Sequence, residues 1–131
     1  MEAELEILIV DDEEIVGKRL GPALERSGYR VEVLQSGEAA IERLRQKHFD
    51  IVVSDIRMDE VDGLDVLEAA QQSSPGTQVI LMTGYATMEV AREALVKGAF
   101  EFIAKPFQPK ELRKLIEKAA RELRDKRMPR A

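Results

Sequence analysis

The chain contains no cysteine. Disulfide staples, thiol nucleophiles and cysteine-ligated metals are therefore excluded, and the absence suits a reducing compartment. A basic excess is missing too: 20 Lys+Arg stand against 25 Asp+Glu, a formal net charge of −5. A domain that grips nucleic acid carries a basic footprint, so direct nucleic-acid contact by this domain is not expected. No apolar run approaches the roughly 20 residues that a membrane-spanning helix requires. The acidic start, Met1-Glu2-Ala3-Glu4, is unlike the basic start of a secretory signal. These absences point to a cytoplasmic protein without membrane association. Internal repeats, low-complexity tracts and internal linkers are likewise lacking. What remains is 131 residues, 44% hydrophobic and 34% charged, enough for one compact domain with a real core.

Apolar runs alternate with helical patterns along the whole chain. The runs are Leu5 to Val10, Val31 to Leu34, Ile51 to Ser54, Val79 to Met82 and Phe100 to Ala104. After the first, Ile15, Leu20 and Leu24 predict one face of a helix that closes near Ser27-Gly28. Ser36 is placed to cap a second helix carrying Ala40, Ile41 and Leu44. Leu64, Leu67 and Ala70 mark a third, ending before Ser74-Pro75-Gly76. Thr87 can cap a fourth with Ala91, Ala94 and Leu95, which Gly98 stops. Pro109 suits the first turn of the last helix, whose stripe is Leu112, Leu115, Ile116, Ala119 and Leu123. Gly21-Pro22 falls inside the first helix, where proline removes a hydrogen bond and crowds the carbonyl of Lys18, so a kink or irregular turn is expected.

Runs that are apolar throughout suit strands buried on both faces, hence a parallel sheet with helices on either side. The expected fold is a doubly wound α/β domain with five parallel strands and five helices. The flavodoxin-like strand order 2-1-3-4-5 sets strands 1 and 3 side by side, with a ligand crevice outside their carboxyl ends. This domain would span residues 1–124, with 125–131 a charged C-terminal tail or the start of a linker.

Charged and hydroxyl groups stand at the ends of these strands: Asp11-Asp12, Asp55, Thr83 and Lys105. In a parallel sheet they converge on one edge. Three carboxylates suit a hard divalent cation, Mg²⁺ or Mn²⁺, which binds oxygen ligands and shares them with phosphate and water. The cation and Lys105 together cancel the three carboxylate charges, so an incoming phosphoryl group meets a neutral site. The Thr83 hydroxyl and nearby backbone N–H groups can bind phosphoryl oxygens, and a carboxylate nucleophile can form an acyl phosphate. Taken singly, each piece has an ordinary explanation: a solvated acidic helix start, a turn aspartate, a loop lysine. Their joint placement favours a site.

The segments Ile7-Leu8-Ile9-Val10-Asp11-Asp12-Glu13, Val53-Ser54-Asp55-Ile56-Arg57-Met58 with Asp62-Gly63-Leu64, Leu81-Met82-Thr83-Gly84-Tyr85-Ala86, and Lys97-Gly98-Ala99 through Lys105-Pro106-Phe107 resemble those of a response-regulator receiver domain, the phosphoacceptor half of two-component signalling. The resemblance runs from about Leu5 to Leu123. It implies that Asp55 is phosphorylated, that Asp12 binds Mg²⁺ directly and Asp11 directly or through water, and that the backbone carbonyl of Arg57 is a further metal ligand. Lys105 would pair with the phosphoryl group through a cis bond to Pro106. Thr83 would move toward that group and Phe102 would turn inward with it. Arg57 and Tyr85 stand where the family tunes acyl-phosphate lifetime. The Asp-Ile-Arg-Met wording is most similar to receivers attached to transcriptional activators that work with an ATPase domain.

The implied function is a signalling switch rather than an enzyme acting on a separate substrate, although the domain would catalyse its own phosphoryl transfer and dephosphorylation. Its partners would be a sensor histidine kinase or phosphotransfer protein and a downstream output domain or protein. The output face would be the fourth helix, fifth strand and fifth helix, with Glu89, Arg92, Glu93, Lys97, Lys110, Arg113 and Lys114 suited to a specific contact or a phosphorylation-dependent homodimer. The sequence departs from the family at Asp59, where receivers usually have proline; Asp59 and Glu60 add charge beside the site. Arg57 can contact the phosphoryl group or pair with Asp59 or Glu60. A metal-dependent phosphohydrolase is the rival enzyme reading, but it would carry an acid/base aspartate where Arg57 stands. A receiver-like interaction module that is never phosphorylated is a third reading, favoured only by Asp59.

Overall fold

The computed structural model describes residues 4–58, 60–84 and 87–127. The chain alternates strand and helix: β1 (Glu6–Val10), α1 (Glu14–Arg26), β2 (Arg30–Leu34), α2 (Gly37–Gln46), β3 (Ile51–Asp55), α3 (Gly63–Ser73), β4 (Gln78–Thr83), α4 (Met88–Val96), β5 (Glu101–Ala104) and α5 (Pro109–Arg127). All neighbouring strands pair in parallel, in the order β2-β1-β3-β4-β5. This is the doubly wound architecture that the alternating runs predict.

The strand sequences explain the two-sided core. Successive side chains on a strand point to opposite faces. Ile7, Ile9, Ile51, Val53, Ile80 and Met82 join Leu20 and Leu24 of α1 and Leu112, Ile116 and Ala119 of α5 on one face. Leu8, Val10, Val52, Val79 and Leu81 join residues of α2, α3 and α4 on the other. Each such aliphatic side chain contributes about 1.5–3 kcal/mol relative to exposure, so a run that is apolar at every position is needed to cover both faces. Two strands are edges, β2 and β5. Among the described residues no helix is long and apolar enough to cross a membrane.

Local signals hold with two corrections, at Ile15 and Thr87. Ser36 caps α2, accepting from the backbone N–H of Ala39 at 3.1 Å, and Pro109 opens α5. Ile15, expected on the buried face of α1, is 59% exposed. It precedes Leu24 by nine residues, about two and a half turns, which places it on the opposite side of the helix. Gly21-Pro22 lies inside α1, which continues through Pro22 to Arg26, so an irregular turn does not form there. Gly17 and Gly21 face Val33 of β2, and a Cβ at Gly17 would collide with it, so the glycines let this helix lie close on the sheet edge. Thr87 stands at the N-cap of α4 but makes no capping bond through its side chain. The tail Met128-Pro129-Arg130-Ala131 and the start Met1-Glu2-Ala3 lie outside the described residues; α5 itself continues to Arg127.

The edge strand β2 is tied to α2 by charge. Arg43 donates to Glu32 through Nε at 2.9 Å and Nη2 at 2.7 Å, and Lys47 Nζ lies 3.6 Å from the same carboxylate. The Arg43 hydrogen bond holds the Glu32 carboxyl below its ordinary value of 4.5, with Arg43 and Lys47 charge outweighing desolvation. A lowered folded-state pKa means that this contribution is full above the unfolded value and is lost as pH falls through the folded one. Replacing Glu32→Gln should therefore lower the unfolding free energy by about 0.5–1 kcal/mol at neutral pH. The gap between the two proteins should close in acid. Urea unfolding of both, at neutral pH and at about pH 3, checks this; an equal gap at both would contradict an ionic origin.

Candidate functional site

Backbone pairing delivers the site residues one by one. Val10, the last residue of β1, is in register with Ser54 of β3, and Asp55 is in register with Met82 of β4. Asp11 and Asp55 thus leave adjacent strands at nearly the same level. Thr83 is in register with Ala104 of β5, so Lys105 follows at the same edge. The ladders continue past the strands: Asp11 N–H donates to the Leu34 carbonyl at 3.1 Å, Ile56 N–H to Met82 at 3.0 Å and Lys105 N–H to Thr83 at 2.7 Å. The Lys105–Pro106 peptide bond is cis, as the resemblance implies.

At this edge the Lys105 ammonium bridges two carboxylates, donating to Asp11 Oδ2 at 2.9 Å and to Asp55 Oδ2 at 3.0 Å. Glu13 Oε1 lies farther off, at 3.9 Å. Asp11 is 1% exposed and Asp55 8%; Asp12 is exposed. One carboxylate oxygen from each of Asp11, Asp12 and Asp55 lies within 4.8 Å of the others. These hard oxygen donors, at this spacing, fit a hard divalent cation. With Lys105 counted they keep two negative charges, the charge that one such ion neutralises.

Burial is the main influence on Asp55 and pushes its carboxyl above the ordinary 3.8; Asp11 adds to the rise, while Lys105 and the backbone N–H of Arg57 oppose it. Burial works in the other direction on Lys105, but hydrogen bonds to Asp11 and Asp55 prevail and hold the ammonium above its ordinary 10.5. The lysine is therefore charged at neutral pH, and Asp55 is a partly dehydrated carboxylate with one face turned to it. Such an oxygen is short of solvent and open to an electrophile or a cation.

The other expected residues sort as follows. Thr83 is fully buried, at the end of β4. Phe102 is half-buried on the edge strand β5 and packs against the α2–α4 side of the core. Arg57 is exposed, and among the described residues it forms no ion pair with Glu60. Glu60 is exposed and shares with Asp12, Glu38 and Met58 the lining of a cleft of about 610 Å³ between the β2–α2 and β3–α3 connections. Asp59 and Tyr85 lie outside the described residues. Glu89, Arg92, Glu93, Lys97, Lys110, Arg113 and Lys114 are all exposed.

Two supports of the site were not foreseen from the sequence. Asp62 and Asp65 form a capping box at the start of α3: Asp62 Oδ1 accepts from the N–H of Leu64 and Asp65, and Asp65 accepts from the N–H of Asp62. The three-residue spacing is the readable signal for it. Gly63 lets this helix start against the end of β3, its N–H donating to the Ile56 carbonyl at 2.8 Å.

A receiver domain is what this topology and edge define, and the chain belongs to the response regulator receiver domain family: the family's model matches residues 7–117. Among curated relatives it is similar to regulatory protein AtoC of Escherichia coli (strain K12), 41% identical over 113 residues, 86% of this chain and 24% of that protein. Transcriptional regulatory protein ZraR of the same strain is 37% identical over 115 residues, 88% of this chain and 26% of ZraR. A CheY-like response regulator receiver domain protein from Methanospirillum hungatei JF-1, solved by crystallography, matches with a TM-score of 0.89 at 30% identity, over 95% of this chain and 99% of that one. The chain spans about a quarter of the length of these curated relatives. Receiver domains generally bind Mg²⁺, and response regulators work with histidine kinases and output domains; this chain has the acidic cluster that such binding needs.

A Cβ at Gly63 would lie 2.5 Å from the Asp55 carbonyl oxygen and 2.8 Å from Ile56 Cα, backbone atoms that cannot swing aside. Gly63→Ala should therefore cost about 1–3 kcal/mol of stability as an overpacked contact. Urea unfolding reads the cost, and a change below a few tenths would show that the end of β3 yields freely.

Proposed function

We propose that this chain is a phosphorylation-controlled signalling switch in which Asp55 accepts a phosphoryl group from the phosphohistidine of a sensor histidine kinase or phosphotransfer protein. The observation that carries this reading is the pairing of a buried Asp55 carboxylate with the Lys105 ammonium at 3.0 Å, beside two further carboxylates. A carboxylate oxygen of Asp55 would form the new O–P bond as the P–N bond of the donor breaks, and the electron pair stays on the imidazole nitrogen. Lys105, already charged, offsets the phosphoryl oxygens as they arrive. Asp11, Asp12, Asp55 and the backbone carbonyl of Arg57 would hold Mg²⁺ or Mn²⁺, which when bound supplies positive charge against the same oxygens. Thr83, at the end of β4 on the same edge, would donate its hydroxyl to a phosphoryl oxygen. Hydrolysis of the acyl phosphate would reset the domain, at a rate tuned from Arg57 and Tyr85.

The readout would run through Thr83 and Phe102 to α4, β5 and α5, whose exposed charges suit a specific partner, an output domain or a second copy of the chain. Because the curated relatives are named as regulatory and transcriptional regulatory proteins and are about four times as long, the attached output is proposed to act on transcription, with residues 125–131 beginning the connection to it. A cytoplasmic location follows from that role.

The chain incubated with acetyl phosphate and Mg²⁺ should gain one phosphoryl group by intact mass, and Asp55→Asn should gain none. A folded, metal-bound wild-type chain that gains nothing would overturn the reading. Mg²⁺ alone should raise the thermal unfolding midpoint, because a ligand that binds only the folded state stabilises it, and Asp12→Asn should abolish most of that rise. An equal rise in both proteins would remove Asp12 from the metal site.

A further inference from the structure

Thr83 and Thr87 face each other across the turn between β4 and α4. Both are buried, at 0% and 8% exposure, and their hydroxyls are hydrogen-bonded to one another. The two polar groups of Gly84 complete the cluster. Its N–H donates to Thr87 Oγ1 at 3.2 Å, and its carbonyl lies 3.0 Å from Thr83 Oγ1 and 3.2 Å from Thr87 Oγ1. Each hydroxyl owns one proton. One threonine must therefore donate to the Gly84 carbonyl and the other to its neighbour's oxygen, and in either arrangement the Thr83 proton is committed on the α4 side. The partners described for the Thr83 hydroxyl are Gly84 and Thr87, not Asp55 or Lys105.

Thr87 gives up an ordinary role to do this. Threonine at a helix N-cap normally accepts from an N–H of the first turn, yet Thr87 makes no such bond. Its oxygen is turned back toward the end of β4.

We propose that Thr87 is a positioning residue that latches the Thr83 hydroxyl away from Asp55, so that the latch must open before Thr83 can donate to a phosphoryl group there. This rests on the phosphoacceptor reading above. The latch stabilises the resting arrangement, and apparent affinity for a phosphoryl-like ligand is reduced by the fraction of molecules in which Thr83 is released. A single buried hydrogen bond of this kind shifts such a population several-fold.

The test is calorimetric titration of the 131-residue chain with beryllofluoride in saturating Mg²⁺. Thr87→Val, which keeps the shape and removes the hydroxyl, should bind about 3–10-fold more tightly than wild type. Thr87→Ser should bind like wild type, because it restores the hydroxyl. In a Thr83→Val background, Thr87→Val should change nothing, since Thr87 acts on the ligand only through the Thr83 hydroxyl. Equal or weaker binding by Thr87→Val, or a gain that persists without the Thr83 hydroxyl, overturns the latch. Should Thr87→Val not fold, Thr87→Ala is read in the same way. A folded wild type that fails to bind beryllofluoride at all overturns the phosphoacceptor reading and the latch with it, whereas wild-type binding with no response to Thr87→Val overturns the latch alone.

Discussion

Two carboxylates on neighbouring strand ends, both nearly without solvent, need a positive partner to offset the cost of burying their charge. Lys105 is that partner, and its placement makes demands on the whole fold. It lies 94 residues from Asp11 and 50 from Asp55 in sequence. β5 is not adjacent to either of their strands, because β4 lies between it and β3. Two strand spacings are about 9–10 Å, so only a long side chain can cross the end of β4. The Lys105 backbone is held by its N–H to the Thr83 carbonyl, which leaves the stem free to reach over. Loss of parallel register at any of β1, β3, β4 or β5 would separate the charges and leave buried carboxylates without compensation. The site is thus a consequence of strand order, and strand order is in turn supported by the two-sided apolar runs.

The same logic explains which features were legible in the sequence. The middles of strands β1, β3 and β4 are buried on both faces, so Ile7 to Val10, Ile51 to Val53 and Val79 to Met82 are apolar at every position and the runs stand out. Asp11 and Asp12 just past β1, Asp55 at the end of β3 and Lys105 just past β5 break apolar runs abruptly, which is why they could be found together. Features set by side-chain direction were harder to read. Ile15 is apolar and near the helix start, yet helical rotation turns it to solvent. Thr87 has the right residue type for a cap, but a nearby buried hydroxyl competes for its oxygen. At the opposite edge of the sheet, the Thr77 hydroxyl donates to the Phe49 carbonyl at 2.6 Å, and Ser74 bonds both Thr77 and His48. That network brings residues from the β3 and β4 entries together, and no local spacing announces it.

Electrostatics divide the acidic residues into two kinds. Asp11 is fixed twice, by Lys105 and by the Glu13 N–H that donates to its Oδ1 at 2.8 Å, so it is a rigid anchor. The carboxyl of Asp55 is raised above its ordinary value by burial in spite of its lysine. Asp12 is exposed and lines the same cleft as Glu38 and Glu60. The extra acidity at Glu60 therefore falls on the solvent side of the cluster, where screening is strong, and not between Asp55 and Lys105.

The helices that flank this edge differ in how they are fastened. α2 begins with a Ser36 cap and α3 with a capping box, so each start is held by its own side chains. α4 has no side-chain cap bond. Its far end is gripped from outside, where Gln71 of α3 donates to the Lys97 carbonyl at 2.7 Å. Its near end is joined to Thr83, a residue at the carboxyl end of a core strand. Among the described residues, the side-chain hydrogen bonds of its near end run to Thr83 and Gly84, while Ala91 and Ala94 pack its buried face into the core. Elements with few local anchors are the ones that rearrange at low cost. Glu89, Arg92 and Glu93 are exposed on this helix, whose start is thus joined through Thr87 to the end of a core strand.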